Sequence, residues 1–110
     1  MSHQPSPTDK IDRQIENAGL PRAGAIPFVP KTGKNRRGDL VIEKAEVQYG
    51  PKRGKKGYLD VLGRIWIRDR AHAGLPDHWD VQIEGGAAYI KVDNQGNAMD
   101  RPPERGEKVT

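Results

Sequence analysis

The chain has 110 residues, which is enough for one domain. Hydrophobic residues make up 34% of it, charged residues 31%, and the net charge is +4, so the composition predicts a small folded core with loose ends. We expect residues 1–6 and 100–110 to be disordered and residues 7–99 to form the domain. No apolar run could span a membrane, no signal-peptide pattern is present and Cys is absent, so we expect no disulfide and a cytoplasmic site of action.

The first predicted element is a short helix over residues 9–18. A Thr-Asp pair at its start is a favourable N-cap, and Gly19 is a favourable C-cap. Ile11 and Ile15 are four residues apart, which places them on one apolar face of the helix. The Pro- and Gly-rich residues 20–38 predict an extended segment.

Alternating hydrophobicity and turn residues then predict a series of antiparallel strands. The strands cover residues 40–47, 58–61, 64–68, 77–84 and 87–93. Leu62-Gly63 connects one hairpin, and Gly85-Gly86 is a strong two-residue turn in the last one. The predicted fold class is therefore α+β and mostly β, with an antiparallel sheet over about residues 40–93 and one short N-terminal helix.

The last hairpin has the most consistent pattern. Its turn fixes a register in which Asp80 lies opposite Lys91 and Gln82 lies opposite Tyr89. The first of its strands divides into two faces. The apolar face carries Trp79, Val81 and Ile83, and the polar face carries His78, Asp80, Gln82 and Glu84.

The preceding hairpin divides in the same way. The residues that suit a core are Leu59, Val61, Ile65 and Ile67, and the opposite set is Tyr58, Asp60, Arg64, Trp66 and Arg68. If both hairpins join one sheet with one buried face, the other face is polar and exposes Trp66 and Tyr89, which could stack on RNA bases. The alternative is that this polar face is ordinary solvated surface.

Basic residues are concentrated in residues 31–56. This segment has nine basic and three acidic residues and a net charge of +6. Its second cluster of cations consists of Lys52, Arg53, Lys55 and Lys56. Such Gly-interrupted basic stretches favour binding to a phosphate backbone. The alternative is a solvated loop with no partner.

The polar face offers the groups that RNA cleavage without a metal ion requires: a base, an acid and a cation. The candidates for proton transfer are Asp80, Glu84 and His78, and the candidates for charge stabilisation are Lys91, Arg64 and Arg68. We predict no cofactor and no metal, because the spacing of His72, His78 and Asp80 matches no specific ligand pattern. No phosphate-binding Walker loop or dinucleotide motif occurs in the chain.

Three stretches within about residues 31–99 carry a resemblance to a known family: KKGYLDVLGRIWIRD, HWDVQ and YIKVDNQGN. They resemble the C-terminal nuclease domains of bacterial polymorphic toxins, which are similar to the colicin domains that cut small-subunit ribosomal RNA. The resemblance implies a small, highly twisted antiparallel sheet with a short N-terminal helix. It also implies a basic, metal-independent endoribonuclease that acts in the bacterial cytoplasm and is held inactive by an immunity protein.

The resemblance also assigns roles to residues. It implies that Asp80 is catalytic and that Gln82 is the glutamine of the motif. The family has a histidine directly after that glutamine, where this sequence has Ile83, and Glu84 is the nearest acid. His78 is predicted on the same face as Asp80 and could take the place of that histidine.

Two other interpretations remain open from the sequence. A non-catalytic module that binds RNA or the ribosome requires the basic stretches, Trp66 and Tyr89, and nothing from Asp80. A protein-interaction domain would use the basic segment to bind an acidic partner. An immunity protein would itself be such an acidic partner.

Overall fold

The computed structural model describes residues 7–69 and 77–99, and their fold is α+β and mostly β, as predicted. The elements are α1 (Pro7–Ala18), β1 (Thr32–Lys34), β2 (Leu40–Ile42), β3 (Lys44–Glu46), β4 (Lys56–Leu59), β5 (Ile65–Asp69), β6 (His78–Ile83) and β7 (Ala88–Val92). Strands β1 and β2 form a two-stranded sheet, and the others form a five-stranded antiparallel sheet in chain order. None of the described helices is long and apolar enough to cross a membrane. The predicted loose ends, residues 1–6 and 100–110, lie outside the described residues.

Helix α1 is anchored by the apolar face that the sequence predicts. Ile11 and Ile15 are both buried, and the helix begins at Pro7, two residues before the predicted start. Proline suits a first turn because the helix has no use for an N–H there. At the other end the amides of Gly19 and Leu20 donate to carbonyls of the last turn, and Gly19 has a φ of +78°, so the predicted glycine cap is confirmed.

The predicted strand over residues 40–47 is wrong as a single element. It divides into β2 and β3, which belong to different sheets. Glu43 lies between them, and its backbone changes partners: its N–H donates to the carbonyl of Lys31, and its carbonyl accepts from the N–H of Leu59. The partner of β2 is β1, which comes from the segment predicted only as extended.

The hairpin of β6 and β7 has the predicted register, with Asp80 opposite Lys91 and Gln82 opposite Tyr89. The turn is longer than predicted, because the strands end at Ile83 and resume at Ala88. A 3₁₀ turn, Glu84–Gly86, lies between them.

The prediction that the sheet has one buried face is wrong. Pairing of β5 with β6 places Trp66 opposite Val81 and Ile67 opposite Asp80, so the apolar set of the first hairpin shares a face with the polar set of the second. Trp66 is fully buried and not exposed, and it packs edge-on against Phe28 and Trp79. Both faces of the sheet are therefore covered.

Two apolar clusters cover these faces. The main cluster, on the helix side, consists of Ile11, Ile15, Leu20, Phe28, Ile42, Trp66, Trp79, Val81 and Val92. A smaller cluster of Val47, Ile65 and Ile67, with Ala45 and Leu59 packed against it, lies on the other side. Val61, which the alternation assigns to the core, is instead 55% exposed, because β4 ends at Leu59 and Val61 lies in the turn that follows.

Asp60 organises the turn between β4 and β5. Its carboxylate is fully buried and accepts hydrogen bonds from the backbone N–H groups of Leu62 and Arg64, from Arg64 Nε at 2.7 Å and from Trp66 Nε1 at 2.9 Å. Arg64, predicted to contact RNA, is thereby engaged in a structural ion pair. The buried charge is stable because each of these four donors points at it.

We predict that Asp60→Asn lowers the free energy of unfolding by about 3–5 kcal/mol, because it leaves Arg64 and the indole N–H of Trp66 without their charged acceptor. Urea denaturation measures the change. Arg37→Ala is the control: it removes an exposed ion pair with Asp39 and is expected to cost less than about 0.5 kcal/mol. Equal effects of the two substitutions would contradict the role given to Asp60.

Candidate functional site

The loop between β3 and β4, residues 47–55, lies against the turn between β6 and β7, and we call it the strap. The N–H groups of Gln48 and Tyr49 both donate to the carbonyl of Gly85, at 2.8 and 2.9 Å. Val47, at the start of the strap, is buried in the smaller cluster beside Ile65 and Ile67. The strap thus brings Lys52 to the face of the sheet that carries Asp80.

Asp80 lies at the centre of this face and is only 2% exposed. Its Oδ2 is 3.4 Å from the ammonium nitrogen of Lys52, which the strap supplies. Its Oδ1 is 3.4 Å from the ammonium nitrogen of Lys91, which lies directly opposite on β7. Two cations therefore compensate one nearly buried carboxylate.

His78 joins Asp80 to a second carboxylate. Its Nε2 lies 3.2 Å from Oδ2 of Asp69 and 3.5 Å from Oδ1 of Asp80. The cause is the strand geometry: His78 and Asp80 are two residues apart on β6, and Asp69 is paired with His78 on β5. His78 is fully buried, whereas the side chain of Asp69 is 19% exposed.

Asp69 is a site residue that the sequence analysis missed. The predicted strand ends at Arg68, one residue before the end of β5. The signal that could have found Asp69 is its cross-strand partner, since an acid opposite a histidine is a favourable pair, but that pairing depends on the register of β5 with β6.

These groups border a cleft of about 230 Å³. It is lined by Pro51, Lys52, Asp69, Asp80, Tyr89 and Lys91. The side chains of Lys52 and Lys91 are 27% and 17% exposed, so both ammonium groups are accessible from the cleft. Lys91 also lies 5.5 Å from the centre of the Tyr89 ring, which places an aromatic face beside the cations.

The structure brings together four of the predicted site residues at this cleft and its floor: Asp80, His78, Lys91 and Lys52. Tyr89 lines the same cleft, as a partly buried residue. Gln82 is fully buried, with its amide nitrogen 3.4 Å from the carbonyl of Asp80, so the predicted contact between Gln82 and RNA is not available on this surface.

The other predicted site residues lie elsewhere. Glu84 is exposed in the 3₁₀ turn, outside the cleft lining. Arg68 lies on the helix side of the sheet, where it donates to the carbonyl of Ala18 and stacks over the Trp79 ring. Trp66 belongs to the main core and Arg64 is bound to Asp60. The remaining strap and β4 cations, Arg53, Lys55 and Lys56, are exposed.

Asp69, His78 and Asp80 have the donor set for a metal ion, and one ligand atom from each lies within 4.8 Å of the others. The charges nearby argue against that use. Lys52 and Lys91 both pair with Asp80 already, and a divalent cation would have to displace or repel both ammonium groups. The cleft is better suited to an anion bound by the two lysines. His72, the third candidate ligand from the sequence, lies outside the described residues.

Comparison with known proteins adds no relative to this picture. The chain matches no protein-family model, and searches of curated proteins and of solved structures find no match. Any function assigned to the cleft therefore has to be argued from its own geometry and charge.

We predict that Gly86→Ala separates the strap from the sheet. Gly86 has a φ of +111°, and a Cβ there would collide with the carbonyl of Tyr49 and the side chain of Val47. The matched control is Gly54→Ala, which has a φ of +90° but nothing within 4 Å of the new Cβ. Both variants have backbone strain, but only Gly86→Ala adds the collision. It should therefore lose about 1–3 kcal/mol more of the free energy of unfolding than Gly54→Ala in urea denaturation. Equal losses would show that the contact between strap and turn is weak.

Proposed function

We propose that this protein is a metal-independent endoribonuclease that cleaves RNA in the cleft between the strap and strands β5, β6 and β7. The observation that carries the proposal is the ion cluster of Asp80, in which one carboxylate lies between two partly exposed lysines and beside a histidine–carboxylate pair. Cleavage of RNA requires a base, an acid and a stabilised phosphorane, and this cluster contains groups for all three.

The scissile phosphate binds at Lys52 and Lys91. Both ammonium groups are close to Asp80 and open to the cleft, so a phosphate oxygen can exchange for the carboxylate as their partner. The two cations then stabilise the additional negative charge of the phosphorane. Tyr89 provides a ring at the cleft wall on which a neighbouring base can stack.

Asp80 takes the proton of the ribose 2′-OH, and the 2′ oxygen attacks the adjacent phosphorus. The bond from phosphorus to the 5′ oxygen breaks, and Asp69 returns a proton to that oxygen. The products are a 2′,3′-cyclic phosphate and a 5′-OH. His78 lies beneath the cleft and its Nε2 is close to both carboxylates, so its role is to position them and to carry the proton that Asp80 takes to Asp69.

The resemblance noted from the sequence extends this proposal to a target and a partner. The target is small-subunit ribosomal RNA in the bacterial cytoplasm, and the partner is an acidic immunity protein that covers the basic cleft. Incubation with ribosomes tests the target, because a discrete small-subunit RNA fragment is expected. Expression in bacteria without a protective partner is expected to arrest growth.

We predict that Asp80→Asn lowers kcat for RNA cleavage by at least about 100-fold, because it removes the base. Glu84→Gln makes the same chemical change at an exposed position outside the cleft and is expected to leave the rate unchanged. Lys91→Ala should lower kcat by more than it raises KM, since its charge matters most in the transition state. Steady-state cleavage of a labelled RNA measures kcat and KM for all three variants.

Two results would contradict the proposal that this protein is an endoribonuclease of this mechanism. If wild type and Asp80→Asn leave RNA equally intact over a wide range of protein concentrations, the protein is a binding module. If cleavage continues when the nucleotide before the scissile phosphate is 2′-deoxy, the 2′-OH is not the nucleophile.

We also predict that excess EDTA leaves the cleavage rate unchanged, because the lysines and not a metal ion supply the positive charge. Added Mg²⁺ should weaken cleavage slightly by screening RNA binding. Loss of activity in EDTA that a divalent ion restores would instead assign Asp69, His78 and Asp80 as metal ligands.

A further inference from the structure

The tip of the hairpin formed by β1 and β2 is a second concentration of positive charge. Residues 34–38 contain Lys34, Arg36 and Arg37, all of them exposed, and no acidic or apolar residue. The side chain of Arg37 is 85% exposed, and its nearest acid, Asp39, is 3.6 Å away at the base of the turn. This tip is separate from the strap and from the cleft.

The backbone of the tip is held in one conformation. Oδ1 of Asn35 accepts hydrogen bonds from the N–H groups of Arg37 and Asp39, at 2.9 and 3.0 Å. The N–H of Asn35 donates to the carbonyl of Asp39, and Gly38 provides the φ of +85° that closes the turn. The cationic side chains therefore project from a turn whose geometry does not depend on them.

We propose that this tip is a second RNA-binding surface, which contacts the phosphate backbone away from the scissile phosphate. The inference rests on the proposed function in taking RNA as the substrate. A protein partner fits less well, because stable protein interfaces contain a buried apolar or aromatic centre and the tip has none. Phosphate contacts require only accessible cations on a defined backbone.

The hairpin that carries the tip packs on the opposite side of the sheet from the cleft. Its strand β2 packs against α1, and Ile42 belongs to the main core on the helix side of the sheet. The cleft lies on the other side, with Ile65 and Ile67. A dinucleotide in the cleft does not extend to the tip, whereas a long RNA can contact both.

The test uses Arg36→Ala/Arg37→Ala, which keeps the backbone hydrogen bonds of the turn. The matched control is Lys10→Ala/Arg13→Ala, which removes two exposed cations of α1. Binding of a single-stranded RNA of about 30 nucleotides is measured against salt concentration, in the Asp80→Asn background so that the RNA stays intact. The slope of log K against log[salt] should become about 1.4 less steep for the tip variant, at about 0.7 for each lost phosphate contact, and should not change for the control.

Cleavage gives a second readout. With Asp80 present, the tip variant should raise KM for the long RNA and leave kcat, and all cleavage of a dinucleotide, unchanged. If the tip and control variants have the same slope and the same KM, the inference is overturned. If wild type does not cleave RNA but the slope still changes, the proposed enzyme fails and the second surface stands.

Discussion

The pairing of β5 with β6 determines which side chains of this protein share a face. Trp66 lies opposite Val81, and so both belong to the side that faces α1. Asp80 lies opposite Ile67, and so the polar cluster and the smaller apolar cluster occupy the other side. A shift of one residue would exchange the faces and place Asp80 in the main core, on the side of the sheet away from Lys52.

Burial of polar groups on the second face explains why the strap lies where it does. Asp80 and His78 are both nearly inaccessible, and unpaired buried charge is strongly unfavourable. Lys91 lies on β7, the neighbour of β6 in the hairpin, but the second cation, Lys52, belongs to a segment that is distant from β6 in the sequence. The backbone hydrogen bonds of the strap to Gly85 hold Lys52 beside Asp80. The charge of Asp80 is therefore compensated only when the strap is folded against the sheet.

The elements that could be predicted from the sequence are those whose signals are local. Gly19 marks the end of α1, and the Gly85-Gly86 turn fixes the register that pairs Asp80 with Lys91. From these signals the pairing of Asp80 with Lys91 and the fold class follow correctly.

The rest depends on contacts between elements that no local pattern fixes. Eight residues separate the end of β5 from the start of β6 in the sequence, so no short turn motif indicates their register, the burial of Trp66 or the presence of Asp69 at the site. The division of residues 40–47 into two strands depends on Glu43, whose N–H donates to Lys31 and whose carbonyl accepts from Leu59. These two partners are distant from each other in the sequence, so no local pattern indicates the division. Arg64 likewise donates to the buried carboxylate of Asp60, so its role is structural. Its place in the sequence is equally consistent with a contact to RNA.

The distribution of aromatic residues has a consequence for spectroscopy. The chain has two tryptophans, and both indoles lie in the main core, one donating to Asp60 and the other to the carbonyl of Gly19. The cleft contains Tyr89 and no tryptophan. Tryptophan emission therefore reports on the helix side of the sheet, so it follows folding of the main core, and the indoles are not in direct contact with a ligand in the cleft.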